Sequence, residues 1–156
     1  MEIQDRIAIV QQFGRTYRAF MSAFEAQVGH PLPRWRILLA LYDQNGESSQ
    51  KRLVERLRVD PGALTRQLKA LEALGWIERR ADERDNRITN VTLTRAGRDV
   101  IEEGLPRRNA FLSVTMSLPD DALAALSGAL GMMEERIGEA AAAVAALTQA
   151  QEPEAG

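Results

Sequence analysis

The chain contains no cysteine. That excludes a disulfide scaffold, a thiolate zinc site, a cysteine nucleophile and a thiol redox sensor. His30 is the one histidine among 156 residues. A multi-histidine metal site is excluded with it, and little acid–base machinery remains near neutral pH. No apolar run approaches the roughly 20 residues needed to span a bilayer. The opening MEIQDRIAIVQQ carries early acids and no basic-then-apolar leader, so the cytoplasm is the expected location and no membrane partner is expected. The sequence holds no G-x-x-x-x-G-K-[ST], G-x-G-x-x-G, G-x-S-x-G or H-E-x-x-H. The expectation is a protein that is not an enzyme and uses no cofactor or metal. What is present is ordinary for a globular chain: 45% hydrophobic and 27% charged residues. The length favours one domain with helical extensions, expected over residues 1–148, with 149–156 a disordered tail.

Net charge is −2, but it is unevenly spread. Glu47 to Arg95 holds 11 Lys+Arg against 8 Asp+Glu, a net of +3, and the remainder has a net of −5. A basic middle between acidic ends suggests a central segment that faces an anion.

Ile3, Ile7, Val10, Tyr17, Met21, Phe24 and Val28 follow a 4-3 spacing, with Gly14 in the one gap. That predicts a helix over Ile3–Val28, and Ile9, Phe13 and Phe20 widen its apolar stripe. Gly29 and the prolines after it end this helix. A second helix is predicted from about Arg34 to Asp43, closed by Asn45-Gly46. Ser48 or Ser49 caps a short helix reaching about Leu57. Asp60 then caps, and Pro61 opens, a helix to Leu74, with Gly75 after it. Two short helices joined by a tight turn make a helix-turn-helix. Trp76–Arg80 and Arg87–Leu93 read as two strands around the polar turn Asp82–Asn86. Thr94 caps a helix from about Arg95 to Ser117, which Pro106 is expected to kink or break. The last helix starts near Pro119. Leu123, Leu126, Leu130, Met133, Ile137, Ala140, Val144 and Leu147 give it an a/d seam.

A helix-turn-helix followed by a charged hairpin is a winged helix. The expected fold is therefore mainly α with a small β-hairpin wing. The winged helix covers about residues 34–97, between dimerisation helices at about 3–28 and 98–148. On the recognition helix, Arg66 and Lys69 share a face, and Gly62, Ala63 and Thr65 permit close approach to base edges. Lys51 and Arg52 suit phosphate contacts. Double-stranded DNA is the expected partner.

These segments resemble the MarR family of bacterial transcriptional regulators, named for multiple antibiotic resistance. Trp35-Arg36-Ile37-Leu38 opens the helix before the motif, and Leu53 begins the L-x-x-x-L of its first helix. Leu64-Thr65-Arg66 and Leu71-Glu72-Ala73-Leu74-Gly75-Trp76-Ile77 fit the recognition helix and its exit. Asp82-Glu83-Arg84-Asp85-Asn86-Arg87 fits the D-x-R-D-x-R wing, and Leu93-Thr94-Arg95-Ala96-Gly97 the L-T-x-x-G that follows. Two positions depart from the pattern. Arg58 stands where the family often has glycine, and the recognition helix opens Asp60-Pro61-Gly62-Ala63. The resemblance implies that Arg87, oriented by Asp85 and neighboured by Arg84, enters the minor groove. It also implies a pocket near the first helix junction that takes small aromatic acids. Arg15, Tyr17, Arg18, His30, Arg34 and Trp35 are the candidates to line it, beside Met21 and Leu39.

The terminal helices need partners. A two-fold homodimer intertwined through both ends is the economical arrangement. Burial of the last helix on the first is the alternative. The function these readings point to is a sequence-specific DNA-binding regulator. It is expected to be a repressor of a pseudo-palindromic operator, released by a small aromatic carboxylate. The alternative is a winged-helix module that binds a protein partner without specific DNA binding.

Overall fold

A computed structural model describes the backbone of residues 1–151 and the side chains of residues 1–143. Residues 152–156 of the expected tail, and the Val144 and Leu147 side chains of the expected seam, lie outside the described residues. The elements in chain order are α1 (Ile3–Val28), α2 (Leu32–Tyr42), β1 (Glu47–Ser49), α3 (Gln50–Leu57), α4 (Pro61–Ala73), β2 (Ile77–Ala81), β3 (Thr89–Leu93), α5 (Arg95–Thr115) and α6 (Asp120–Gln151). They divide into two compact units, one from Met1 to Ser113 and one from Val114 onward.

The first unit is built on one core. Phe24 and Val28 of α1, Trp35, Leu38 and Leu41 of α2, Leu53 of α3, and Leu64, Leu68 and Leu71 of α4 are fully buried there. Ile77, Val91 and Ile101 bring in β2, β3 and α5. The leucines of α4 recur every three or four residues, so one face of the recognition helix is committed to this core and the opposite face is left to solvent.

Helix α2 begins two residues before the expected Arg34. Pro31 is its N-cap, and the Pro31 carbonyl accepts from Trp35 N–H at 3.0 Å. Pro33 falls in the first turn, where a missing N–H costs no helical bond. The prolines therefore start this helix as well as separating it from α1.

The sheet has three strands in the order β1-β3-β2, one more than expected. Ser48 lies opposite Val91, and Ile77 opposite Leu93. Glu47-Ser48-Ser49 carries no β-branched or aromatic residue, so strand propensity did not reveal β1. Its Ser49 also caps α3, accepting from Arg52 N–H at 3.2 Å.

The expected break at Pro106 does not occur: α5 runs unbroken through it. Packing holds both sides of the proline. Before it, Gly104 lies against the Trp35 ring. After it, Phe111 meets Phe20 and Phe24 with ring centroids 5.3 and 5.8 Å apart.

The second unit contains α6, with Asp120 and Asp121 in its first turn, where carboxylates favour the positive helix end. The helix continues to Gln151, three residues past the expected boundary. Leu126, Met132 and Ile137 are exposed along it.

Candidate nucleic-acid interface

The turn between α3 and α4 follows from a few residues. Arg58 ends α3 in the left-handed region at φ 50°. That conformation explains why glycine suits the position, since a non-glycine residue there costs about 1–2 kcal/mol. The Asp60 carboxylate accepts from Ala63 N–H at 2.8 Å and caps α4. Gln50 Nε2 donates to Thr65 Oγ1 at 2.7 Å, and Thr65 Oγ1 donates to the Pro61 carbonyl at 2.9 Å. The Thr65 hydroxyl is thus engaged on both sides in fixing α4 against α3, and its methyl is the part left for a base.

Arg66 and Lys69 stand exposed on α4, with Gly62 exposed and Ala63 half-buried at its start. The Arg66 guanidinium folds back over that first turn, 3.6 Å from where a Cβ on Gly62 would sit. Lys51 and Arg52 are exposed in the first turn of α3. Among the described residues, Lys51, Arg52, Arg66, Lys69 and Arg84 have no carboxylate within ion-pair distance. Unpaired guanidinium and ammonium groups on one motif are available to phosphate or base edges.

The wing is a fixed loop rather than a frayed one. Asp82 Oδ1 accepts from the backbone N–H of Arg84 at 2.9 Å and of Asp85 at 3.1 Å. Asp82 Oδ2 accepts from Asn90 Nδ2 at 2.9 Å. Asp82 N–H and Ile88 N–H close the loop onto the Ile88 and Asp85 carbonyls. At the tip, Arg87 Nε donates to Asp85 Oδ1 at 2.9 Å and Arg87 Nη2 to Oδ2 at 3.0 Å. This is a two-pronged, charge-assisted pair. The Arg87 side chain is 86% exposed and that of Asp85 34%, so the carboxylate anchors and the guanidinium projects. The Arg87 bonds hold the Asp85 carboxyl below its ordinary range, and Asp85 in turn raises Arg87. Backbone N–H donation, first from Arg84, lowers Asp82 likewise.

The wing is also tied to the recognition helix. Glu72 of α4 accepts from Arg79 of β2 through Nη2 at 2.6 Å and through its backbone N–H at 3.2 Å. A concave surface of about 480 Å³ lies between the start of α3 and β3, lined by Lys51, Pro61, Arg87 and Thr89 among others. The helix-turn-helix and the wing thus flank a basic recess.

A sequence profile of the MarR family matches residues 29–88, the segment just described. Over that segment the chain is similar to the MarR family. Over 89 residues it is 40% identical to YdgJ of Bacillus subtilis (strain 168), an uncharacterized HTH-type transcriptional regulator; the match covers 57% of this chain and 54% of that one. The chain spans about half the length of the curated relatives it matches. Among solved structures, the fold is similar to a MarR variant from E. coli complexed with operator DNA, with TM-score 0.71, 22% identity, and 85% of this chain and 99% of that one covered. It is also similar to BpsR of Bordetella bronchiseptica, whose DNA binding is regulated by 6-hydroxynicotinic acid, with TM-score 0.69, 24% identity, and coverage of 81% and 98%. A second relative, TtmR of Methylorubrum extorquens (strain PA1), is likewise an HTH-type transcriptional regulator, 37% identical over 91 residues that cover 58% of this chain and 44% of that one.

The motif residues have physical reasons here. In the L-T-x-x-G segment, Thr94 Oγ1 donates to the Gly75 carbonyl at 2.7 Å and accepts from Gly97 N–H at 3.1 Å. A Cβ on Gly97 would collide with the Trp76 carbonyl. The wing motif begins with Asp82, whose bonds set the loop. Sequence reasoning passed over Asp82, Asn90, Gln50 and Glu72, which position the contacting groups. The spacing of D-x-R-D-x-R carried the signal for Asp82.

The candidate ligand residues do not form one cluster. Arg15 and Arg18 are exposed on α1. Trp35 is fully buried in the core, edge-on to Phe24 and against Gly104. His30 stacks on Trp35 and meets Trp76 edge-on at 5.1 Å. Burial first, then the Arg107 and Arg34 charges, lower its pKa below 6.5, while Glu103 opposes them. Arg34 Nε donates to Gln67 Oε1 at 3.4 Å. Tyr17 stands apart from these, lining a cavity of about 200 Å³ with Arg36, Ile37, Leu57, Ala63 and Gln67.

Proposed function

We propose that the chain is a cytoplasmic transcriptional regulator that binds duplex DNA as a homodimer, placing α4 in the major groove and the wing in the adjacent minor groove. The observation that carries this reading is the wing tip, where both Asp85 oxygens hold an exposed Arg87 guanidinium. A narrow minor groove concentrates negative potential and favours a pre-positioned arginine. Lys51 and Arg52 meet phosphates, while Gly62, Ala63, the Thr65 methyl, Arg66 and Lys69 face the major groove. Arg84 supports the wing. Exposed Ile3, Ile7, Val10 and Phe13 on α1 and Met132 and Ile137 on α6 favour a dimer built from both termini. Its two recognition helices would lie about one turn of DNA, roughly 34 Å, apart.

The finer reading is a repressor released by a small aromatic carboxylate near the α1–α2 junction, around which Arg15, Tyr17, Arg18, His30, Arg34 and Trp35 are distributed without forming one cluster. The regulation of BpsR by an aromatic acid supports it by analogy.

Arg66→Ala and Lys51→Ala test the DNA reading, with affinity for a bound duplex measured against salt. Arg66→Ala is expected to cost about 1–3 kcal/mol and relax base preference at its contact. Lys51→Ala is expected to weaken all sequences alike and flatten the salt slope by about one phosphate contact. Unchanged binding in Arg66→Ala contradicts the placement of α4.

A further inference from the structure

Thr65 is half-buried on α4, at the border between the face that carries the core leucines and the exposed face that carries Gly62, Arg66 and Lys69. Its hydroxyl has one proton to donate and two lone pairs to accept with. The proton goes to the Pro61 carbonyl at 2.9 Å. One lone pair takes Gln50 Nε2 at 2.7 Å. A threonine in a helix ordinarily divides between two χ1 rotamers, because its hydroxyl can bond the carbonyls of the preceding turn. The bond to Pro61 therefore does not by itself choose the rotamer. Gln50 opens α3, a different element. A donor fixed there favours the one rotamer whose hydroxyl it meets, and with it one position of the Thr65 methyl.

We propose that Thr65 reads thymine through its C5-methyl group, and that Gln50 is the positioning residue that makes Thr65 a methyl reader. This rests on the reading of α4 as the helix in the major groove. A hydroxyl whose proton is already given has none for thymine O4 or for guanine O6 and N7. What Thr65 brings to a base edge is its methyl, and in the major groove the C5-methyl of thymine is the apolar group that such a methyl contacts. Gly62 lies three residues earlier, a neighbour on the helix surface, and has no side chain to cover the spot. Gln50 itself touches no base; it acts by holding the Thr65 hydroxyl turned toward the protein.

The test takes a duplex that the full chain selects and replaces its thymines by uracil one at a time. Uracil pairs as thymine does and lacks only the C5-methyl. In the wild type, one thymine of each half-site is expected at which uracil weakens binding about fourfold, the worth of one buried methyl. Thr65→Ser keeps the hydroxyl without the methyl and is expected to bind both duplexes alike. Thr65→Val keeps a methyl without the hydroxyl and is expected to preserve the preference. Gln50→Leu is expected to reduce the preference to about twofold, as two rotamers then share the site. In the Thr65→Val background Gln50→Leu is expected to leave the preference untouched, a non-additivity that a merely structural role would not produce. Thr65→Ser and Gln50→Leu keep the test decisive should Thr65→Val not fold. The proposal is overturned if every uracil is tolerated by a chain that still holds the duplex, or if Thr65→Ser keeps the preference. It is overturned as well if folded Thr65→Val loses it, which would assign the reading to the remaining lone pair of the hydroxyl. Binding of no duplex at all would instead remove the DNA reading, and this proposal with it.

Discussion

Asp85 gives two opposite expectations, which makes it the sharpest single residue to change. As a mere negative charge near DNA it should weaken binding, so its removal should strengthen it. As the holder of Arg87 it should be required. The paired hydrogen bonds at 2.9 and 3.0 Å favour the second. Asp85→Ala is expected to lower DNA affinity at fixed salt, Arg87→Ala at least as much, and the double variant no more than Arg87→Ala, as coupled residues require. Stronger binding by Asp85→Ala contradicts the orienting role. His30 supplies a pH dependence. Its pKa is lowered in the fold, so the folded state disfavours the proton. The stability it contributes is present above the unfolded value of 6.5 and is lost as pH falls toward and through the lowered folded value. Thermal melting should be flat above about pH 7.5 and fall below about 6.5, and His30→Phe, which keeps the aromatic packing, should remove that slope. Melting of the wild type that stays level from pH 7 to 5.5 counts against it. The motif legible in the sequence included Asp85 and Arg87 because a charged hairpin tip after a helix-turn-helix has few other uses. The motif spacing marked Asp82 but not its role, because its partners are two backbone N–H groups and the Asn90 side chain, which only the folded loop brings to it.

At the scale of elements, the helices were readable from their apolar periodicity: α3 and α4 bury one face, while α1 and α6 leave much of their apolar stripe exposed. The start and end of α1 matched the 4-3 spacing, and Asp60 and Gly75 marked the limits of α4. What escaped were tertiary decisions. The polar Glu47-Ser48-Ser49 became a strand only because β3 offered an edge beside it. Gly104 and Pro106 read as breakers, yet Gly104 is the place where α5 meets Trp35 and Pro106 is carried by packing on either side. Gly104→Ala checks this. Its Cβ would enter the space of the Trp35 ring, and overpacking of this kind costs about 1–3 kcal/mol. Urea denaturation should show that loss. Stability equal to wild type would mean that α5 and α2 do not meet as closely as described. Within the candidate site, residues on a single element were legible and those that converge from several were not. The proposed ligand residues were grouped by nearness in sequence, and α2 separates them: Trp35 points into the core while Tyr17 and Arg36 share a cavity.

At the scale of the whole molecule, a basic middle lies between ends rich in exposed apolar residues. The winged helix of Met1–Ser113 presents unpaired cations, and α1 and α6 present apolar side chains to solvent. A two-fold dimer would cover the second set and duplicate the first, so the DNA it binds should carry the same symmetry. The selection of duplexes from a random library by the full chain measures this directly. The expected result is enrichment of a pseudo-palindrome with half-site centres about 10 base pairs apart, with Arg66→Ala losing preference at matching positions in both halves. Recovery of no preferred sequence, or of a single unrepeated half-site bound by one chain, would contradict it.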